Sequence, residues 1–343
     1  VAIFSHPSYD NHEKVLFVTD EASGLKAIVA VHDTTMGPAV GGCRMWPYAS
    51  DEEAVNDVLR LSRGMTYKNA LAGLEFGGGK SVIIGDPRSD KSEALFRAFG
   101  RAIDALGGLY YSAEDVGITT SDIMIAHQET PYMMGLEGKS GDPSPYTALG
   151  TFLGIKAAIK YQRGIDDLRG IKVAVQGLGH VGYYLCEHLH RAGAELIVCD
   201  LNQQQLERAQ QHLGATVVDL DEIYSQDVDV YAPCALGATI NDQTIPQLQA
   251  TIVAGCANNQ LAEARHGEIL RDKGILYAPD YVINAGGIIN VSFEKDYNAD
   301  AAEAKVRKIY QTLLDIFAKA EQSGKTTAVV ADEMARAIIA ANK

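Results

Sequence analysis

Ile171-Lys172-Val173-Ala174-Val175-Gln176 runs straight into Gly177-Leu178-Gly179-His180-Val181-Gly182, and the next apolar stretch, Glu195 to Cys199, stops at Asp200. The first segment reads as a buried strand. The second is a G-x-G-x-x-G turn that opens a helix over 180–192, and Asp200 stands 23 residues beyond Gly177. Strand, glycine turn, helix, strand and terminal acid together are the context of a dinucleotide-binding βαβ unit. The glycines allow a tight turn and let a pyrophosphate approach backbone N–H groups at the helix start. An acid at position 200 accepts hydrogen bonds from ribose hydroxyls and repels a 2′-phosphate. No arginine follows in Leu201-Asn202-Gln203, so the reading predicts NAD rather than NADP. The bland alternative is a glycine turn that serves strand–helix packing beside a surface acid.

Outward from this unit the alternation continues. A helix is expected over 203–213 and a strand over Val228 to Ala232, which implies a parallel sheet covered on both faces. Upstream, a helix is expected at 147–161, and the Gly/Ser/Pro-rich stretch 136–146 marks a boundary. The N-terminal part also alternates strands and helices: a strand over Leu25–Val31, a helix over 51–63 behind Ser50 with Glu53 in capping-box spacing, a strand over Ser81–Ile84 and a helix over 92–106. Helical patterns at about 300–322 and 327–341 close the chain.

The 343 residues suit two domains, and the composition, 47% hydrophobic and 22% charged, is that of a globular protein. No apolar run is long enough for a bilayer and no secretory signal precedes Phe4, which points to the cytoplasm and away from a membrane partner. The net charge of −14 disfavours a nucleic-acid partner. The five cysteines never form a C-x-x-C pair, which argues against a disulfide framework or a zinc site and leads to no metal being expected.

Gly79-Lys80-Ser81 imitates the end of a P-loop, but position 74 is leucine and the residues after Lys80 read as a strand, so an NTPase site is rejected. Lys80 ends Gly77-Gly78-Gly79, and Lys68 lies in Gly64-Met65-Thr66-Tyr67-Lys68. Glycines beside a lysine let a substrate approach the ammonium, and burial would lower its pKa toward that of a general base. Solvated lysines beside ordinary turns are the competing reading. Asp115, after Ser112-Ala113-Glu114, reads by itself first as a surface or capping acid.

These segments carry a resemblance. Gly41-Gly42-Cys43-Arg44-Met45, Gly64-Met65-Thr66-Tyr67-Lys68, Gly77-Gly78-Gly79-Lys80, Ala113-Glu114-Asp115-Val116-Gly117, Ala232-Pro233-Cys234-Ala235-Leu236-Gly237, Ala257-Asn258-Asn259-Gln260 and Asn284-Ala285-Gly286-Gly287-Ile288-Ile289-Asn290 occur in one order over nearly the whole chain. The sequence resembles the glutamate/leucine/phenylalanine/valine amino-acid dehydrogenase family, most closely its leucine-acting branch. The resemblance implies an α/β fold of two domains separated by a cleft: a substrate-binding and oligomerisation domain at 1–135, on which a C-terminal helix at about 327–343 packs back, and a Rossmann NAD-binding domain at 136–326. It implies NAD-dependent reversible oxidative deamination of an L-amino acid to the 2-oxo acid and ammonia, by a homo-oligomer, an octamer or a dimer.

It also implies roles. Lys68 holds the α-carboxylate with Gly41 and Gly42 nearby, Lys80 activates water, and Asp115 takes the substrate's ammonium proton. Thr147 and Asn258 position the nicotinamide, Ala235 and Leu236 lie at its ribose, and Gly177, Leu178, Gly179, His180, Val181, Gly182, Asp200 and Asn284 complete the cofactor-binding set. Relatives acting on glutamate carry a lysine where this chain has Val40, so the side-chain pocket is apolar, lined by Val40, Ala113, Ile288 and Val291, with Met65 and Met134 close by. That favours leucine, valine or isoleucine. A phenylalanine or valine dehydrogenase and a non-catalytic NAD-binding regulatory module are the alternatives. A hydroxy-acid dehydrogenase lacks its usual His–Asp pair here. The chain departs from the leucine-acting pattern in a shortened 139–147 loop, Tyr146, Ser292-Phe293 and Cys43.

Overall fold

The computed structural model describes residues 2–136 and 140–343; part of the expected 136–146 boundary loop, and of the shortened 139–147 loop, lies outside the described residues. Two compact units emerge: Val1–Gly141 with Val291–Tyr297 and Ala335–Lys343, and Asp142–Asn290 with Asn298–Met334. The segments 291–297 and 327–334 thus fall differently from the expected limits.

In the first unit Ser50 caps helix α1 (Asp51–Leu71): its hydroxyl accepts from the Glu53 amide, while the Glu53 carboxylate accepts from the Ala49 amide. The helix runs beyond its expected end at 63. Gly64 costs about 1 kcal/mol against alanine in a helix, and packing of Thr66, Asn69 and Ala70 beyond it overrides that preference. Five strands follow the order β1 (Lys14–Asp20), β2 (Leu25–Asp33), β4 (Gly77–Ile84), β3 (Ala39–Trp46), β5 (Tyr110–Glu114). β2 is antiparallel to β1 and β4, and β3 is parallel to β4 and β5. The Leu25–Val31 run lacks apolar alternation because β2 is buried on both faces. Leu25, Ala27, Val29 and Val31 pack with Phe96, Phe99 and Ile103 of α2 (Glu93–Asp104), whereas Ile28 and Ala30 pack with Val55, Val58 and Leu59 of α1. Each fully buried phenylalanine contributes about 1.5–3 kcal/mol. β1 and β3 were not anticipated: β1 is a partly exposed edge, and Gly41-Gly42 interrupts the side-chain pattern of β3. The short helix α3 (Thr120–His127), closed by a Thr119–Asp122 capping box, was not anticipated either.

The second unit holds six strands in the order β11 (Leu276–Tyr277), β10 (Ile252–Val253), β9 (Val230–Pro233), β6 (Lys172–Gln176), β7 (Glu195–Cys199), β8 (Thr216–Val217), all paired in parallel. Helices α4 (Ser144–Arg163), α5 (His180–Arg191) and α6 (Gln203–Leu213) lie close to expectation. The pattern expected as one helix at 300–322 is two, Ala299–Val306 and Ile309–Ser323. The strand order reverses between β6 and β9, so the carboxyl ends at Gln176 and Pro233 stand side by side. Such switch points are where open α/β sheets bind ligands. Among the described residues no helix is long and apolar enough to cross a membrane.

Candidate active site

Strand alternation sorts the chemistry of the first unit. On β3, Ala39, Cys43 and Met45 enter the core with α2, so Val40, Gly42 and Arg44 face the side of α1. On β4, Val82 packs with α1, which puts Gly78 and Lys80 on that same face. Tyr110 lies in the α2 core, so Tyr111 and Ala113 of β5 also face α1. The register sets Val40 beside Gly78 and Tyr111, and Gly42 beside Ala113. Val40, Gly42 and Ala113 thereby form an apolar row, the first two one strand away from Lys80 and Ala113 two strands away. The glycines of Gly77-Gly78-Gly79 belong to the strand rather than to a loop, and Gly79-Lys80-Ser81 continues that strand, as the rejection of a P-loop required.

The Lys80 ammonium donates to Asp115 Oδ2 at 2.5 Å; the lysine side chain is 7% exposed and the aspartate 20%. Arg44 Nε donates to the same oxygen at 3.3 Å, and Arg44 Nη1 reaches Asp57 Oδ2 at 2.9 Å. The Tyr48 hydroxyl donates to that Asp57 oxygen at 2.7 Å. Burial by itself would raise the Asp115 pKa, but the charges of Lys80 and Arg44 outweigh it and bring it down to about 2. Asp115 is therefore a half-buried anion between two cations, not the solvated cap that its sequence position first suggests. A Cβ on Gly42 would stand 2.8 Å from that of Asp115, so only glycine leaves this carboxylate room.

Met65 and Lys68 are half-buried on α1 and three residues apart, hence on one face. Behind them the helix is bound to the sheet. Asn69 Nδ2 donates to the Gly77 carbonyl at 2.7 Å, and His32 Nδ1 lies 2.8 Å from Thr66 Oγ1. Val291 and Met134 belong to this unit as well, with Met134 tied through its amide to the Ser112 carbonyl at 2.8 Å. Ile288, expected in the same lining, belongs to the second unit and is half-buried there.

In the second unit Gly177 takes φ 102°, and a Cβ there would fall 2.7 Å from that of Ala235. The glycine turn therefore lies against the chain that leaves β9. Gly179 is the exposed N-cap of α5 and offers no side-chain cap, and a Cβ on it would meet no atom within 4 Å. His180 is exposed and Gly182 buried. That leaves backbone N–H groups at a twelve-residue helix in the arrangement that suits an anion. Asp200 accepts from the Leu178 amide and, at 2.7 Å, from the Asn202 amide, so it also braces the turn. Ala235, Leu236 and Asn258 are exposed. Asn284 is buried, and its Nδ2 donates to Asn258 Oδ1 at 2.7 Å and to the Cys256 carbonyl at 3.1 Å. Its Oδ1 is buried without a partner among the described residues, an acceptor awaiting a donor such as a carboxamide. Thr147 donates to the Pro143 carbonyl at 3.2 Å in the first turn of α4. These residues fit a dinucleotide with a carboxamide-bearing ring.

Sequence reasoning gave no role to Arg44, Asp57, Tyr48 or Tyr111. A signal for Arg44 existed: two residues past Gly42 on a strand means the same face. For Asp57 there was none, because its partner is reached only through the packing of α1 on the sheet.

The chain is similar to known proteins over nearly its whole length. Residues 12–137 match the Glu/Leu/Phe/Val dehydrogenase dimerisation domain, and residues 138–202 and 197–343 match the Glutamate/Leucine/Phenylalanine/Valine dehydrogenase domain. The chain is 56% identical over 337 residues to a leucine dehydrogenase of Geobacillus stearothermophilus, covering 97% of this chain and 92% of that one. It is 50% identical to a phenylalanine dehydrogenase of Bacillus thermotolerans, covering 94% and 87%. The crystal structure of L-tryptophan dehydrogenase from Nostoc punctiforme superposes with a TM-score of 0.86 at 49% identity, covering 97% of each chain. With family matches running from residue 12 to residue 343 and the lysine–aspartate pair held at its first sheet, the chain belongs to the glutamate/leucine/phenylalanine/valine dehydrogenase family and is an amino-acid dehydrogenase.

Proposed function

We propose that this enzyme catalyses the NAD-dependent, reversible oxidative deamination of branched-chain aliphatic L-amino acids, leucine foremost with valine and isoleucine, to the 2-oxo acid and ammonia. The observation that carries the proposal is the pair of buried Lys80 with half-buried Asp115 beside the row Val40, Gly42, Ala113. In this reading Lys68 binds the α-carboxylate, with the backbone of Gly41 and Gly42 close by. Asp115 faces the substrate ammonium as an anion and takes its proton. A carboxyl with a pKa of about 2 does not retain that proton, which suits passing it on to solvent. Lys80, as the neutral amine, removes a proton from the water that adds to the imino carbon; its ammonium returns that proton to the nitrogen, which leaves as ammonia, and the hydroxyl loses its proton to solvent as the ketone forms. The nicotinamide, when bound, accepts the hydride from the substrate α-carbon.

Thr147, Asn258 and Asn284 would hold the carboxamide, and Ala235 and Leu236 would lie at the ribose. Gly177, Leu178, Gly179, His180, Val181 and Gly182 would cradle the pyrophosphate. Asp200 would accept from the adenine ribose hydroxyls, which selects NAD over its 2′-phosphate.

Val40 is fully buried, and a carboxylate brought against it would lose its hydration with no counter-charge, at a cost of several kcal/mol. Apolar side chains are therefore preferred over acidic ones. Met65 and Val291 complete an aliphatic lining within the first unit. Each methylene is worth about 1–3 kcal/mol in such a pocket, so leucine, isoleucine and valine are all accepted. We further propose that the enzyme works as a cytoplasmic homo-oligomer.

A panel of single L-amino acids with NAD, read as absorbance of the reduced nicotinamide, tests this. Turnover is expected with leucine, valine and isoleucine. Turnover of glutamate, phenylalanine or tryptophan with none of these three overturns it. Lys80→Ala is expected to lose turnover by orders of magnitude while still binding NADH.

A further inference from the structure

Arg44 has no part in the roles above, yet its guanidinium touches the same carboxylate oxygen as Lys80. The adjacent residue on β4 is Val82, an ordinary apolar neighbour on the α1 face. A charged group on that face, 18% exposed, needs a reason. We infer that Arg44 is a positioning residue that keeps Asp115 paired while Lys80 gives up its charge, an inference that rests on Lys80 being the base of the proposed reaction.

A lysine that takes a proton from water must spend part of each cycle as the neutral amine. In that state its counter-charge on Asp115 is gone, and a buried carboxylate without a partner is strongly disfavoured. A guanidinium remains charged at any working pH. Nε stays on Asp115 while Nη1 is anchored 2.9 Å from Asp57 Oδ2, which also accepts from Tyr48. The fork thus spans two carboxylates contributed by α1 and by the end of β5, and the neutral form of Lys80 leaves Asp115 with one cation rather than none.

The other charged or titratable groups around the pair fit this account. From the opposite face of the sheet, Cys43 and Tyr110 are buried; burial lifts the thiol to about 12 and raises the phenol, so both stay neutral. Asp122 of α3 is paired with Lys91 at 2.5 Å. Lys68 lies about three turns beyond Asp57 on α1 and is assigned to the substrate carboxylate. Asp57 and Arg44 are therefore the groups that set the charge on the far side of Asp115.

The test follows kcat/KM for deamination of the best amino acid of the panel, with the full chain, from about pH 6 to 11. Arg44→Gln is expected to move the alkaline rise of the profile upward by about one to two pH units, because Lys80 is then the sole cation on Asp115. Arg44→Lys is expected to keep the rise within about half a unit of its original place. Asp57→Asn, which removes the anion opposing Arg44, is expected to move it downward. A rise that stays in place in Arg44→Gln, or moves as far in Arg44→Lys, overturns the inference. If Arg44→Gln does not fold, an unmoved or upward-shifted rise in Asp57→Asn overturns it instead. Lys80→Ala in the same series separates the two claims. Retained turnover there removes the reading of Lys80 as base, whereas lost turnover with an unmoved rise in Arg44→Gln removes the role of Arg44 alone.

Discussion

Replacing Gly78 by alanine probes how closely α1 must approach the sheet. A Cβ at position 78 would fall 2.5 Å from the Thr66 Cα and nearer still to its amide nitrogen and Oγ1. Carbon atoms pack at about 3.5–4.0 Å, so roughly 1 Å of movement is required. The obstacle is helix backbone, not the end of a flexible side chain. Thr66 is held at 2.8 Å from His32, and Asn69 at 2.7 Å from the Gly77 carbonyl, so the helix cannot yield without breaking those bonds. The stability cost then lies at the top of the range for overpacked cores, about 3 kcal/mol, or about 6–12 °C in the midpoint of a domain of this size. Lys68 travels with α1 while Lys80 stays on β4, and a misplacement of about 1 Å between reacting groups costs about 100-fold in rate. Thermal unfolding followed by circular dichroism, with kcat/KM measured well below the transition, reads both effects. Gly64→Ala is the control on the same helix: its Cβ would meet no atom within 4 Å, and the expected gain is about 1 kcal/mol from helix propensity. A Gly78→Ala enzyme with a midpoint within about 2 °C of the parent and kcat/KM within about threefold would refute the claim that this contact sets the lysine geometry.

Two other perturbations have clear signs. The His32 pKa is lowered from 6.5 to about 4 by burial and then by His12, whose ring centroid is 4.8 Å away. The unfolded chain therefore takes up the proton first. Stability is complete above pH 6.5 and is lost as the pH falls toward 4, by a few kcal/mol in all for His32. Urea unfolding from pH 7 down to 4 should show this decline, and His32→Asn should flatten it; an equal decline in the variant counts against the assignment. Gly177→Ala must hold φ 102° and crowd Ala235, a strain of about 1–3 kcal/mol. It should weaken NADH binding by about 10- to 100-fold in a calorimetric titration. Affinity unchanged within about threefold would mean that this turn does not hold the cofactor.

Half of the second sheet could be read from the chain: β6, β7 and β9 were expected, whereas β8, β10 and β11 are two residues each and too short to leave a pattern. Its strand, turn and helix signals are local: β-branched runs of strand length, glycines where φ turns positive, Asn202 and Gly214 at the two ends of α6. Local sterics act within a few residues and leave a periodic trace, so the dinucleotide unit and its terminal acid were legible without tertiary information. The P-loop decoy failed on the same local grounds.

The first sheet was legible only in fragments. β1 went unseen because an edge strand is half exposed, β3 because two glycines erase its side-chain pattern, and the end of α1 because packing outweighs the glycine at 64. The lysines and the aspartate could be picked out, Lys68, Lys80 and Asp115, but not what each touches. The insertion of β3 between β4 and β5 makes residues 44, 80 and 115 neighbours, and the seating of α1 adds Asp57. Registers between distant strands depend on burying both faces of the whole sheet at once, and no short window of sequence records that condition. Residue types and local turns were therefore determined by the chain itself, whereas the shared oxygen of Asp115, with two cations upon it, was decided only when the strands came together.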